Sequence, residues 1–170
     1  MKQSNSFSKA KLNFIEPKKF AIVGARFHEE LSNNLVDMAV STIKEHGGDI
    51  EPEDIFRVPG SFEIPVVTSR LALTGQYDGI VVTGVIIKGE TPHFDHLAAE
   101  VTRAVSCIGI DNDLPVGYGI VLANTMEQAV ARASLNEQNK GKEAALAMME
   151  AASVLDKVDA RFGQFLSEEV

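Results

Sequence analysis

The stretch YDGIVVTGVIIKG, residues 77–89, is apolar at almost every position and ends at Lys88 and Gly89. A strand in a sheet with one solvent-exposed face alternates apolar and polar residues, but this run is apolar on both faces. We therefore predict that it is a strand covered by helices on both sides, at the centre of a parallel sheet.

Three other short apolar runs accompany it along the chain. Residues 20–27 (FAIVGARF) and residues 54–60 (DIFRVPG) come before it, and residues 115–123 (PVGYGIVLA) come after it. Each run is followed by a segment with helical spacing of its apolar residues. This alternation predicts an α/β fold, a flavodoxin-like doubly wound three-layer α-β-α sandwich with a four-stranded parallel sheet.

Stop and start signals bound the predicted helices. Gly47 and Gly75 end the first two, and Ser61 is a candidate N-cap for the second. The third contains Cys107, which we expect to be a small buried residue. Two helices close the chain at about residues 126–134 and 139–158, with a break at residues 139–141.

Composition sets the domain organisation and excludes several classes of partner. The 170 residues, 45% hydrophobic, suffice for one core, so we predict one domain at residues 20–158, a flexible N-terminal arm at residues 1–19 and a tail at residues 159–170. The formal charge of -8 argues against general affinity for nucleic acid or an anionic membrane. A single cysteine fits a reducing compartment, the cytoplasm by default, and no apolar run is long enough for a membrane span.

Doubly wound sheets bind ligands outside the carboxyl ends of their strands. Residues 88–91 lie at such an end and lead into a helix N-terminus, where free N–H groups can cradle a phosphate and Gly89 permits close approach. The alternative is a connecting loop without a ligand. His93 follows, and an imidazole there is suited to moving protons near neutral pH. The alternative is a surface or capping histidine, which we favour for His46 and His96.

The ends of the first two strands add Phe27 and residues 61–63 to this edge. From spacing alone, Phe62 is better interpreted as a core residue. For Phe27 the core and the site are equally good interpretations.

Five motifs of the sequence resemble those of a known family. In order and spacing, the lumazine synthase family is similar to this chain at ARF (25–27), VPGSFEIP (58–65), GVIIKGETPHFD (84–95), EQAVAR (127–132) and NKGKEAA (139–145). The similarity runs from about residue 20 to residue 155. It implies condensation of 5-amino-6-(D-ribitylamino)uracil with 3,4-dihydroxy-2-butanone 4-phosphate in the penultimate step of riboflavin synthesis, without metal or organic cofactor.

The resemblance also implies roles for individual residues. Phe27 stacks on the pyrimidine, Glu63 holds ribityl hydroxyls, and the pyrimidine site as a whole comprises Phe27, Ser61, Phe62, Glu63, Val85, Ile86, Ile87 and Tyr118. His93 transfers protons. The butanone phosphate contacts Gly89, Glu90, Thr91, Arg132 and Lys140, with the planar fork of Arg132 suited to a phosphate.

Some positions depart from the family pattern. Lys88 stands where Arg is common, His28 where Asn is usual, and Tyr118 where Phe is common. Residues 133–141 lack the small glycines often found there, although the segment has the length of capsid-forming members.

The family resemblance further implies assembly. In a strand at residues 115–123, Tyr118 lies about 20 Å from the ligand edge near Asn124. The resemblance implies a homopentamer in which a neighbouring subunit supplies Tyr118 and Arg132. A 60-subunit icosahedral shell and association with riboflavin synthase are further expectations.

Two other functions fit the same fold. One is a protein that binds a flavin or lumazine without turnover, but the presence of both His93 and Arg132 favours the enzyme. The other is a flavodoxin-like redox protein. It is disfavoured because residues 26–31 (RFHEEL) lack the small hydroxyl and glycine residues of a flavin-phosphate cradle.

Overall fold

A computed structural model of the chain describes residue 12, residue 14 and residues 16–166. The predicted arm at residues 1–19 therefore lies largely outside the described residues, and so does the end of the predicted tail.

The predicted four-stranded parallel sheet is confirmed. Its strands stand in the order β2-β1-β3-β4, and they are β1 (Phe20–Ala25), β2 (Ile55–Val58), β3 (Gly79–Ile87) and β4 (Val116–Ala123). Every residue of β3 before Ile87 is buried, as its run of valines and isoleucines predicts. The apolar run thus occupies an interior position of the sheet.

Helices cover both faces of the sheet and complete the predicted three layers. Their bounds are α1 (Glu29–Glu45), α2 (Ile64–Ala72), α3 (His93–Asp111), α4 (Met126–Ala133) and α5 (Lys140–Leu166). The core beneath α1, α4 and α5 lies on one face, and the core beneath α2 and α3 lies on the other. Among the described residues, no helix combines the length and the apolar character needed to cross a bilayer.

The helix ends follow the sequence signals in most places. Gly47 and Gly75 lie just after α1 and α2 with φ of 80° and 63°, a conformation that glycine adopts without strain. Asn139 is fully buried and accepts hydrogen bonds from the N–H groups of Gly141 and Lys142 at 2.8 and 3.2 Å, so it caps α5. Helix α5 continues to Leu166, beyond the predicted end at residue 158.

One prediction about α3 is wrong. Cys107 is exposed and lies outside the core, although the helix around it is apolar. Val101 and Val105 take the buried face, and Cys107 lies two residues beyond Val105, on a different side of the helix.

Strand β1 stops earlier than its neighbour. The pairing of β1 with β3 ends where Gly24 lies opposite Thr83, whereas β3 pairs with β4 as far as Ile87 opposite Ala123. Beyond Thr83, no strand within the described part of the chain pairs with the β1 side of β3. This step in the sheet leaves room for a ligand at its carboxyl edge.

Polar bonds close the opposite, amino edge of the sheet. The buried carboxylate of Asp54 lies 3.2 Å from Lys19 Nζ and 2.9 Å from the Tyr77 hydroxyl, which donates to it. Lys18 Nζ lies 3.3 Å from Asp78 and 2.8 Å from Asp156. The segment before β1 is thereby tied to the starts of β2 and β3 and to α5.

Candidate active site

A cleft of about 560 Å³ opens at the step between β1 and β3. The structure brings together there most of the residues predicted to meet a pyrimidine, along with the candidate proton-transfer residue. The cleft is lined by Phe27, His28, Gly60, Ser61, Phe62, Glu63, Val85, Ile86, Ile87, His93 and Leu97. Most of the lining is apolar, as is usual for small-molecule sites.

Two exposed aromatic rings border the cleft. Phe27 is 67% exposed and Phe62 is 68% exposed. The prediction that Phe62 belongs to the core is therefore wrong, because its short helical turn crosses the edge of the sheet and leaves the ring outside. Large apolar rings in a cleft offer flat faces on which a heteroaromatic ring can stack.

The turn after β1 fixes the place of Phe27. Its N–H donates to Pro59 O at 3.2 Å, and its carbonyl accepts from the hydroxyl of Ser32 at 2.7 Å. The next residue, His28, has φ 57° and ψ 58°, the left-handed conformation that is uncommon for residues with a side chain. Its ring meets the Phe27 ring edge-on, with centroids 4.6 Å apart.

Sequence reasoning did not place His28 in the cleft. Its signal is its position in the short connection between β1 and α1, together with the tolerance of His for left-handed backbone. Leu97 of α3 also borders the cleft. It lies one helical turn after His93, so the two side chains share a face.

Residues 61–63 form a short 3₁₀ turn ahead of α2. Ser61 is not the N-cap of α2, contrary to the prediction, because this turn intervenes and Glu63 directly precedes the helix. The Ser61 side chain is buried against Gly84, where a β-carbon would come within 2.7 Å of its Oγ. Residue 84 must therefore stay small for the turn to approach β3.

The carboxylate of Glu63 faces the cleft while one of its oxygens is held. Oε2 accepts from the N–H of Gly60 at 2.9 Å, which orients the half-buried side chain. A carboxylate offers several acceptor positions, so Glu63 retains capacity for hydroxyl donors of a ligand.

The end of β3 contributes backbone as well as side chains. Val85 and Ile86 are buried, and Ile87 is half-buried. On the side where β1 has ended, their peptide groups face the cleft without a strand partner in the described residues. Backbone donors and acceptors therefore line the floor of the cleft.

His93 is the first residue of α3 and its side chain is exposed at the cleft. Within the described residues, its imidazole makes no hydrogen bond or ion pair. Nearby, Lys88 Nζ lies 3.8 Å from Asp95 and 5.9 Å from the centre of the Phe94 ring. The imidazole is thus free to exchange protons with a bound molecule.

The turn at Gly89, Glu90 and Thr91 precedes α3 and is exposed. It lies outside the cleft lining, next to His93 along the chain. A β-carbon on Gly89 would meet nothing within 4 Å, so the space over this turn is open. Open space over a helix N-terminus suits an anion, because the first N–H groups of a helix lack helical partners.

Besides the turn at residues 89–91, three more predicted site residues do not line this cleft. Tyr118 lies in a separate hollow beside α3, where its hydroxyl and that of Thr102 are 2.6 Å apart. Burial raises the pKa of Tyr118, and the hydrogen bond with Thr102 partly opposes this. Arg132 is exposed in the last turn of α4, and Lys140 pairs with Glu143 at the start of α5.

These elements define what the site can do. It offers rings for stacking, backbone groups for the polar edge of a planar ligand, a carboxylate for hydroxyls and an imidazole for protons. The side chains of Tyr118, Arg132 and Lys140 do not line the cleft of their own chain, and these capacities do not depend on them.

Comparison with known proteins identifies the family that this chain is similar to. A profile of 6,7-dimethyl-8-ribityllumazine synthase matches residues 17–156. Curated proteins of that name are similar over most of their length. The protein of Lawsonia intracellularis is 40% identical over 140 residues, 82% of this chain and 89% of the relative. That of Nitratidesulfovibrio vulgaris is 41% identical over 140 residues (82% and 90%), and that of Chlorobaculum tepidum 43% over 136 residues (80% and 88%).

Proposed function

Because this chain belongs to the 6,7-dimethyl-8-ribityllumazine synthase family, we propose that the cleft between Phe27 and His93 is where it performs that family's reaction. The chain is a transferase of riboflavin biosynthesis. It condenses 5-amino-6-(D-ribitylamino)uracil with 3,4-dihydroxy-2-butanone 4-phosphate to give 6,7-dimethyl-8-ribityllumazine, phosphate and water. This location is supported by one observation, that an exposed ring, a carboxylate and an imidazole line the same cleft.

The pyrimidine substrate stacks on Phe27, with Phe62 on the rim of the same cleft. Its polar edge bonds to the backbone of residues 85–87 and to the turn that begins at Ser61. The ribityl chain runs to Glu63, because a carboxylate accepts strongly from hydroxyl donors. Support comes from the exposure of both rings and from the free β1 side of β3.

The butanone phosphate binds at the turn before α3. Its phosphate accepts from the N–H groups of residues 89–91 and from the guanidinium of Arg132, while the Glu90 side chain points away from the anion. Lys140 adds positive charge to the same region. An Arg fork binds two phosphate oxygens at once, which fits an exposed guanidinium without a partner among the described residues.

His93 transfers protons between the two substrates. Amine attack on the ketone, loss of water, loss of phosphate and ring closure each move a proton, and an imidazole serves at neutral pH. Holding two reactants side by side supplies much of the remaining acceleration.

A complete site draws on two subunits of a homopentamer. Tyr118 and Arg132 lie away from the cleft of their own chain, so a neighbouring subunit brings them to it. Exposed apolar residues such as Ile110 and Val154 give α3 and α5 surfaces that a neighbour can cover. We extend the proposal to a 60-subunit shell, to association with riboflavin synthase and to a cytoplasmic location, the last supported by the single cysteine.

Incubation of the purified chain with both substrates tests the reaction. We expect the fluorescence of 6,7-dimethyl-8-ribityllumazine to rise and phosphate to be released in equal amount. Phe27→Ala should lower the affinity for the pyrimidine, because a stacked ring contributes about 1–3 kcal/mol. Leu73→Ala, a change of an exposed apolar residue distant from the cleft, is the matched control. Equal effects of the two variants would contradict the location of the site.

Subunit mixing tests the shared site. His93→Ala chains and Arg132→Ala chains, each of low activity when the butanone phosphate is kept below saturation, are combined under conditions that exchange subunits. Some interfaces then join an intact cleft to an intact Arg132, and activity returns. Confirmed exchange without recovery, or a fully active monomer in light scattering, would exclude a site built from two chains.

A further inference from the structure

The hydroxyl of Ser32 forms an unusual bond for a residue inside a helix. Helical Ser and Thr commonly donate to the carbonyl four residues earlier. Thr42 in α1 does so to Met38 at 2.6 Å, and Thr68 in α2 does so to Ile64 at 2.8 Å. Ser32 instead reaches five residues back, to the carbonyl of Phe27 at 2.7 Å. Its bond therefore leaves the helix and holds the turn that precedes it.

Ser32 binds two consecutive carbonyls of that turn. Its N–H donates to His28 O at 2.9 Å, and its hydroxyl donates to Phe27 O. The peptide between those carbonyls leads into the left-handed conformation of His28, with φ 57°. Ser32 is fully buried, so no water competes for its hydroxyl. A conformation that a side chain normally disfavours is thus held by two bonds from one residue.

The ring of Phe27 depends on its backbone for its position. It is 67% exposed, and its ring contact with a described residue is the edge of His28. Its N–H is bound to Pro59 O and its carbonyl to Ser32. With both peptide groups fixed, the direction of the Cα–Cβ bond is fixed, and only side-chain rotation remains.

We propose that Ser32 is a positioning residue, which holds the Phe27 ring in place before substrate arrives through its hydroxyl bond to the Phe27 carbonyl. This inference rests on the proposed function of the cleft, in which the pyrimidine substrate stacks on that ring. A ring ordered in advance spares the substrate the entropy loss of ordering it. Ser32 is fully buried and does not contact a substrate directly. Its effect should therefore be confined to the pyrimidine substrate, which stacks on Phe27.

Steady-state kinetics of Ser32→Ala test the proposal. We expect the KM for 5-amino-6-(D-ribitylamino)uracil to rise about 3- to 10-fold, the loss that one net hydrogen bond represents. The KM for the butanone phosphate should stay at the wild-type value, because that substrate does not stack on Phe27. An unchanged KM for the pyrimidine in a folded Ser32→Ala protein would overturn the proposal.

Thr42→Val is the matched control. It removes a buried hydroxyl from the same helix, but that hydroxyl serves a carbonyl of α1 itself, far from the turn. Both variants should lower the melting temperature, and only Ser32→Ala should change the KM for the pyrimidine. The same KM increase in Thr42→Val would show that general weakening of α1 is responsible and would also overturn the proposal.

His28→Asn supplies a second test. Asn adopts left-handed backbone more readily than His, so the turn then needs less support. Ser32→Ala should raise the KM for the pyrimidine less in the His28→Asn background than in the wild-type background. Strictly additive effects would contradict a role for Ser32 in holding this turn.

Hydrogen exchange separates this inference from the proposed function. In Ser32→Ala, amide exchange in the segment at residues 26–29 should accelerate, whereas Thr42→Val should leave that segment as in the wild type. A wild-type chain without turnover would defeat the proposed function alone, and faster exchange would still support the hydroxyl bond as the device that holds the turn. Unaltered exchange in Ser32→Ala would overturn the inference even in an active enzyme.

Discussion

The two edges of the parallel sheet use their polar side chains in opposite ways. At the amino edge, Asp54 is buried and bonded to Lys19 and Tyr77. At the carboxyl edge, the imidazole of His93 and the guanidinium of Arg132 make no hydrogen bond or ion pair with a described residue. The polar side chains at the amino edge are thus bonded within the fold, whereas those of His93 and Arg132 remain available to a ligand. Stability and activity should respond to substitutions at different edges.

The largest expected effect tests the carboxyl edge. His93→Ala should slow turnover about 100-fold to 10,000-fold, the usual contribution of a proton-transfer residue, and leave the melting temperature nearly unchanged. His96→Ala, an exposed histidine on the same helix, is the control and should keep full activity. A stable His93→Ala protein with wild-type turnover would remove His93 from the mechanism.

The second effect tests the amino edge. Asp54→Ala should lower the free energy of unfolding by about 2 kcal/mol, since the half-buried Tyr77 hydroxyl and the N–H of Glu51 lose their acceptor while the exposed Lys19 ammonium stays in water. Urea denaturation measures this loss, and kinetics at low temperature should show normal activity. Asp95→Ala removes an exposed carboxylate that pairs with Lys88 at 3.8 Å, and should cost less than about 1 kcal/mol. Similar losses for the two would erase the contrast between the edges.

The third effect returns to the ligand side. Arg132→Ala should raise the KM for the butanone phosphate about 10- to 100-fold, the range for hydrogen bonds to a charged group, with a much smaller change for the pyrimidine. Arg132→Lys should rescue it only in part, because a point charge replaces a planar fork. Arg103→Ala, which removes an exposed partner of Glu100, is the control. Equal losses for both substrates would rule out a specific phosphate role.

The smallest effect appears at high pH. Burial, followed by the hydrogen bond and charge of Asp54, raises the pKa of Tyr77 from 10.0 to about 12. The folded state therefore keeps a proton that the unfolded state loses, so this contribution is present below pH 10 and disappears as pH rises to about 12. Between about pH 9 and about pH 12, the free energy of unfolding should decline less steeply in Tyr77→Phe than in the wild type. Equal declines in the two proteins would mean that the fold does not raise the pKa of Tyr77.

Much of this contrast could be predicted from the sequence, because apolar runs and glycine stops report burial along regular elements. The order of strands and helices follows from β3 and its neighbours, and the rule for doubly wound sheets placed Phe27 and His93 at one edge. Tyr118 was expected about six residues from that edge, and it does lie outside the cleft.

The errors occur where the chain leaves regular structure. Phe62 and Ser61 lie in a 3₁₀ turn, whose residues do not follow the helical period used to assign them. Cys107 lies on an outer side of α3, and a helix can be apolar on a side that its own chain leaves exposed. His28 depends on a left-handed backbone that spacing does not report. Each is decided by the path of the backbone at an edge.

The early end of β1 makes the cleft a matter of strand length. Val85, Ile86 and Ile87 extend beyond β1 by about 10 Å, so a ligand bound in the cleft would lie where further residues of β1 would otherwise run. The cleft exists because β1 is shorter than β3. Its depth is set by how many residues separate Ala25 from the first turn of α1. That connection also carries Phe27 and His28, so an insertion or deletion there would change the depth of the cleft and move its aromatic wall together.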